Sequence, residues 1–312
     1  MEIASRQVGL LACPSYGDAE LAERLDRLCD GLGLVVSRGS RVLLKPNLVS
    51  SRGNRQLACS QPEFVAAVAR WFVARGARVA VGDSPAFGSA KGVMAACGIA
   101  DALRGLPVEL VNFDDPQPVR LASGLSVGVA RQALECDLLV NLPRVKAHDQ
   151  LYLTMAVKNY FGAVVGFRKA WLHARHGDID NRFESLLVDL LAVLPTGISL
   201  VDGVVAMQRS GPMTGESFAL GVLAAGANPV AVDTALMAVL GLPAVASPLW
   251  RECARRGLAG CRLDELAFPL ARPEEVSKPG FAPPGRLAPV SFHPWRLFTG
   301  AMKRVAARWG GG

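Results

Sequence analysis

Four apolar runs in this chain end on polar residues. RVLLK (41–45) leads through Pro46 to Asn47. ARVAVGD (77–83) ends on Asp83 and Ser84. CDLLVN (136–141) ends on Asn141 and continues through Arg144 to Lys146 and His148, and GISLVD (197–202) ends on Asp202. Beyond them, Lys158-Asn159 interrupt a mostly apolar stretch that reads as a helix. Lys45, Lys146 and Lys158 suit an anionic group, carboxylate or phosphate, bound by point charges. Asn47, Ser84, Asn141 and Asn159 would orient it. Crowded lysines disfavour one another's charge, so one of them becomes a near-neutral base or a Schiff-base amine. Lys146 and Lys158 are therefore catalytic candidates, with His148 as the other acid/base group. Asp83 and Asp202, joined by Asp233 after Asn228-Pro229, are candidates to hold Mg²⁺ or a similar divalent cation, or to keep a lysine protonated. Gly211 belongs to a glycine-rich loop, residues 202–216, that would let backbone approach an anion.

Each residue alone has a plainer reading. Asp83 and Asp202 can form turns before Pro85 and Gly203, and Lys45 can be an exposed strand end. His148 can be structural, Lys158-Asn159 a solvated helix face, and Asp233 a first-turn helix acid. What favours a site is that four strands deliver polar groups at one end, where open parallel α/β sheets bind ligands. Several motifs are absent: no P-loop, no GxGxxG after a strand, no GxSxG elbow and no HExxH. HARH (173–176), with Asp178 and Asp180 nearby, is a weak metal pattern. The seven cysteines include no CxxC pair, so they read as small buried hydrophobes rather than disulfides or a metal cluster.

The elements that must position these groups follow from the hydrophobic pattern. The four runs above lack alternation, as strands covered on both faces do, and VGLLAC (8–13), VELVNF (108–113) and GVLAAG (221–226) are weaker strands of the same kind. Helices lie between them: 61–75 with Ser60 as cap, Asn181 through Leu194 with Asn181 as cap, and one opened by Asn228-Pro229. The expectation is an α/β fold, a layered, mostly parallel sheet flanked by helices, forming one domain over residues 1–268. A Pro-rich connector (269–293) and a short basic amphipathic helix (294–312) follow it.

Net charge is +7 over 312 residues. From Val276 onward there are six basic residues and no acidic one, so the main body carries only +1. A nearly neutral body argues against nucleic acid as a partner. The aromatic stripe of the last segment, Trp295, Phe298, Met302, Val305 and Trp309, lies beside basic residues. It would dock on the body, on a partner protein or on an anionic membrane surface. No apolar run is long enough to span a bilayer and no signal peptide is read, so the chain is expected in the cytoplasm, free or membrane-associated.

VLLKPNLV (42–49), GDSPAFG (82–88), VNLPRVKAHDQLYLTMAVKNYFG (140–162), VDGVVAMQRSGPMTG (201–215) and AGANPVAVDTALMAVLG (225–241) resemble, in order, the bacterial and archaeal domain-of-unknown-function 362 family. The resemblance covers about two thirds of the chain. It implies a single α/β domain with these blocks around one cleft, and no particular reaction. Some members carry a ferredoxin-like iron–sulfur module. This chain lacks the close-spaced cysteines, so a built-in cluster is not expected. The functional expectation is an enzyme acting on a small anionic metabolite by lysine and histidine acid–base chemistry, with or without a metal ion. The alternative is a non-catalytic cofactor-binding or redox accessory protein working with an iron–sulfur partner at a membrane surface.

Overall fold

The computed structural model describes residues 6–51, 55–165, 181–195 and 197–287, with only the backbone at 55 and 56. The HARH segment and the residues from 288 on, including the expected C-terminal helix 294–312, lie outside the described residues.

The first half runs β1 (Gly9–Ala12), α1 (Asp18–Gly31), β2 (Arg41–Pro46), α2 (Arg55–Ala58), α3 (Pro62–Ala74), β3 (Arg78–Asp83), α4 (Ala90–Ala96), α5 (Ile99–Ala102), β4 (Val108–Asn112), β5 (Pro116–Arg120), β6 (Ser126–Ala130) and α6 (Arg131–Glu135). The second half runs β7 (Leu138–Leu142), β8 (Arg144–His148), β9 (Tyr152–Thr154), α7 (Ala156–Asn159), α8 (Arg182–Val193), β10 (Gly197–Gln208), β11 (Glu216–Gly226), α9 (Pro229–Val239) and α10 (Pro248–Arg255). One nine-stranded sheet has the order β1-β11-β10-β7-β2-β3-β4, with β8 and β9 branching from β10, and β5-β6 form a separate ribbon. From β10 to β4 the path is parallel, whereas β1, β11 and the β8-β9 hairpin pair antiparallel.

All seven sequence-predicted strands form. VGLLAC and GVLAAG differ from the parallel expectation because β10 and β11 are joined by a short hairpin, which forces them antiparallel and places β1 beside β11. Central strands are buried on both faces. Val42, Leu44 and Val140 pack against α1, α3 and α4, while Leu43 and Leu139 pack against α8 and α10. Strand side chains alternate, so Lys45, two residues after Leu43, and Asn141, two after Leu139, share the second face. Lys45 and Asn141 are also register partners on β2 and β7.

Two caps differ from expectation. At α3 the capping position is Gln61, while Ser60 Oγ donates to Leu142 O (2.7 Å) and accepts from Asn47 N (2.8 Å). Asn181 has φ 57° and makes no side-chain cap, because capping geometry needs extended backbone there. Asn228 does cap α9, accepting from Val230 N and Ala231 N. The proline-rich segment lies on the body over residues 269–287: Phe281 is buried, Ala271 N donates to Leu10 O, and Lys278 N donates to Val239 O.

Candidate functional site

Residues 141–162 are not a loop and a long helix. Arg144–His148 form β8, a turn leads to β9, and only four residues, Ala156–Asn159, make α7. The apolar residues that imitate a helix are hairpin positions: β8 and β9 are buried throughout, so their pattern has no strand alternation to read. Lys146 and His148 thus project from a strand, and Lys158 and Asn159 from the single helical turn that follows.

That turn is held from below. Asp233 Oδ1 accepts from Ala156 N (2.7 Å) and Oδ2 from Val157 N (3.2 Å), so a carboxylate on α9 satisfies the first amides of α7. Burial pushes the Asp233 carboxyl up to about 7, against the lowering effect of those two bonds. Asn159 then reaches the sheet. Its Nδ2 donates to Asn141 Oδ1 (2.8 Å) and Lys45 O (3.3 Å), and its Oδ1 accepts from Asn47 Nδ2 (2.9 Å). Asn141 Nδ2 closes the network on Ala156 O and Ser199 Oγ. The three asparagines therefore tie β2, β7 and α7 together, and Asn47 Oδ1 is left buried without a hydrogen-bond partner among the described residues.

The three lysines occupy this frame differently. Lys45 is wholly buried and pairs with Asp83 Oδ1 at 3.0 Å, while Leu48 N donates to Asp83 Oδ2. Burial pulls the Lys45 pKa down against the attraction of Asp83. Lys146 is also wholly buried and donates to Ala58 O at 2.7 Å. Burial, then Lys158 and Arg144, hold its pKa well below the ordinary lysine value. Lys158 is half-buried, and its ammonium has no hydrogen-bond or ion-pair partner among the described residues. Burial and the charge of Lys45 bring its pKa down to about 8, with Asp83 opposing.

Gly162 is the residue that sequence reasoning passed over. A Cβ there would stand 2.0 Å from Asp83 Oδ1 and 2.2 Å from Lys45 Nζ, so only glycine lets the chain cross above this ion pair. Ser84 N donates to Gly162 O, which brings half-buried Ser84 to the same spot. A glycine following KNYF was the one available signal.

Other candidates are placed elsewhere. His148 Nδ1 accepts from Gln150 N and Leu151 N, both at 3.2 Å, which binds the ring to the β8-β9 turn and puts its proton on Nε2. Gly211 N donates to Asp149 Oδ1, and a Cβ on Gly211 would meet Ala147 O at 1.8 Å, so it packs on β8. Residues 202–208 are strand, and the loop begins only after Gln208. Asp202 accepts from Tyr16 Oη (2.7 Å), Gln61 N and Val204 N, and burial raises its pKa. Asp83, Asp202 and Asp233 thus serve a lysine, a tyrosine and a helix end. Among the described residues, no three of His, Cys, Asp and Glu stand together as ligands for a metal ion.

Comparison with known proteins places these residues inside a known family. The family model described as a domain of unknown function (DUF362) matches residues 42–238. The chain belongs to this family. A thylakoid-associated protein of Synechocystis sp. is 34% identical over 307 residues, spanning 97% of this chain and 95% of its own. Among solved structures, a Thermotoga maritima protein aligns with TM-score 0.39 and 12% identity over 64% of this chain. The lactate racemase apoprotein of Thermoanaerobacterium thermosaccharolyticum aligns with TM-score 0.40 and 13% identity over 62% of this chain. The matches span about half the length of those two proteins, 53% and 50%. Within the matched range, KPN, GDSP and VKNYFG are the segments that supply Lys45 and Asn47, Asp83 and Ser84, and Lys158, Asn159 and Gly162.

Proposed function

We propose that this DUF362 protein is an enzyme acting on a small anionic metabolite, a carboxylate or a phosphate ester, with Lys158 as its working amine. The observation that carries this reading is the contrast among the lysines. Lys45 is spent on Asp83 and Lys146 on a carbonyl, whereas half-buried Lys158 has no hydrogen-bond or ion-pair partner among the described residues. One carboxylate among three lysines leaves positive potential, which an anion would neutralise. With a pKa of about 8, Lys158 binds as an ammonium, while about a tenth of it is free amine at pH 7 and available as a proton acceptor or Schiff-base nucleophile. Asn47 Oδ1 offers an acceptor for a ligand N–H or O–H. His148, with Nδ1 occupied, would take part only through Nε2.

The test is a thermal-shift screen of carboxylated and phosphorylated metabolites on the full chain and on K158A, since native-state binding raises Tm by mass action. A ligand that stabilises the natural protein but not K158A supports the reading. If every stabilising ligand acts equally on both, Lys158 is not in the site.

The same protein would work at an anionic membrane surface. The Synechocystis relative is described as thylakoid-associated, and residues 294–312 combine Trp295, Phe298 and Trp309 with Arg296, Lys303, Arg304 and Arg308. Co-flotation with anionic liposomes should be lost on deleting residues 294–312. Equal flotation of both forms would contradict it. Among the described residues no helix is long and apolar enough to cross a membrane.

A further inference from the structure

Around Lys146 two buried polar atoms stand without a hydrogen-bond partner among the described residues, Asn47 Oδ1 and Thr154 Oγ1. Thr154 is wholly enclosed and Asn47 is 7% exposed. Thr154 is the register partner of Lys146 across the β8-β9 hairpin, so the two side chains leave the same face with Cβ atoms about 5 Å apart. The apolar Val145, Ala147 and Leu153 pack together on the opposite face. On the Thr154 face, Arg144 Nη1 donates to Cys59 O (3.0 Å) and Lys146 Nζ to Ala58 O (2.7 Å). The segment they grip reaches Asn47: Ser60 N donates to Asn47 O (2.9 Å), and Ser60 Oγ accepts from Asn47 N (2.8 Å). Only one residue separates Ala58 from Ser60, so Lys146 Nζ lies no more than about 11 Å from Asn47 O. Asn47 is also bonded to α7 through Asn159 (2.9 Å), and Thr154 leads within two residues into Ala156, the first residue of α7. Both orphaned atoms therefore belong to segments that join the strand of Lys146 to the turn of Lys158.

The hydrogen-bonding capacity left over here selects a ligand group. Asn159 Nδ2 donates to Lys45 O, so its Oδ1 faces Asn47, which answers with Nδ2 and keeps its own Oδ1 as a pure acceptor. Thr154 has one O–H to donate and lone pairs to accept. Lys146 spends one N–H on Ala58 O and carries further donors. A carboxylate has no proton for Asn47. An ammonium has no lone pair for Thr154 or Lys146, and a methylene answers none of the three. A hydroxyl donates to Asn47 Oδ1 and accepts from Thr154 or Lys146.

We propose that Asn47, Lys146 and Thr154 form an inner subsite of the anion cleft that takes a hydroxyl of the substrate, with Thr154 as its specificity-determining residue. The substrate class is then a hydroxylated carboxylate or phosphate ester, with its anionic end at Lys158 and its hydroxyl at Thr154. This deepens the anion-binding reading of Lys158 and rests on it. A site built to hydrogen-bond a substrate hydroxyl rejects the analogue that lacks it, because the analogue leaves buried groups unpaired. Asn47 is held by Asn159 and Ser60, and Thr154 by the hairpin register, so the subsite is formed before the ligand arrives.

The experiment measures Kd by titration calorimetry for matched probes, 3-hydroxybutyrate against butyrate and glycerol 3-phosphate against propyl phosphate, with the full chain and its T154V, T154S and K158A variants. The natural protein should bind the hydroxylated member of at least one pair tighter than its analogue by about tenfold or more. T154V should bring that member down to the level of the analogue, and T154S, which keeps the hydroxyl, should retain most of the preference. K158A should weaken both members. Equal binding within both pairs, absence of binding included, overturns the proposal, and so does a preference that survives in T154V. A K158A protein that binds every probe like the natural one would instead contradict the Lys158 reading, a result separate from the paired comparison at Thr154. Urea unfolding adds a readout that a structural threonine would move. A hydroxyl with no partner in the fold is lost without penalty, so T154V should unfold at an equal or higher urea concentration. A lower midpoint would mean that a buried water or another group already satisfies Thr154, and it would overturn the proposal.

Discussion

Lys45 and Asp83 meet at 3.0 Å, both buried, at the ends of adjacent parallel strands β2 and β3, and Gly162 crosses directly above them. Neither ion would be tolerated there alone, because an unpaired buried charge costs far more than a paired one. D83N and K45M should each destabilise the protein by about 3–5 kcal/mol in urea unfolding. The double variant K45M/D83N should cost less than the sum, since the second change removes the charge the first one strands. Additive losses would show that the two groups are not coupled.

G162A tests the crossing itself. The added Cβ falls inside contact distance of both charged atoms, so it should cost about 1–3 kcal/mol and displace the ion pair. Urea unfolding measures the cost. A G162A protein as stable as the natural one would mean that the chain does not pass so close.

Lys158 should show the opposite behaviour on stability. Its folded pKa lies below the unfolded value, so between about 8 and the ordinary lysine range the unfolded chain binds the extra proton and stability rises with pH. Below about pH 8 the cost of the charged form is fully present. K158M should therefore be at least as stable at pH 7, by on the order of 1 kcal/mol after allowing for partial exposure. It should also lose anion binding by roughly tenfold or more. A destabilised K158M would point to a structural lysine.

Asp233 gives a pH window of its own. Its folded pKa is raised to about 7, so the native state keeps a proton that the unfolded chain has released. Stability from this group is full below the ordinary carboxylate range, falls as pH rises toward about 7, and is flat above. The difference in unfolding free energy between the natural protein and D233N should therefore change across pH 4–7, by on the order of 4 kcal/mol. A constant difference would place the Asp233 pKa in the ordinary range. D233N should also weaken the hold on Ala156 and Val157 at the start of α7.

The sheet was legible because buried parallel strands are short apolar runs, and RVLLK, ARVAVGD and CDLLVN all end where their polar residues begin. The β8-β9 hairpin was not, because residues buried on every side lose the period that separates strand from helix. The KPN, GDSP and VKN blocks supply groups that the fold brings together around Lys45. No spacing revealed that Asp202 answers Tyr16 or that Asp233 caps α7, since these contacts cross 186 and 77 positions of sequence. Individual carboxylates resembled metal ligands by type; their partners come from tertiary packing alone.

The most direct test of the Lys158 assignment is the titration of that side chain, followed by NMR in protein carrying ¹³C-labelled lysine, with K158M used to assign the signal. The Lys158 resonance should titrate near pH 8 in the free protein and move upward when a carboxylate or phosphate ligand is bound. An ordinary lysine pKa near 10.4, unchanged by every ligand that stabilises the protein, would contradict an anion site built on this amine.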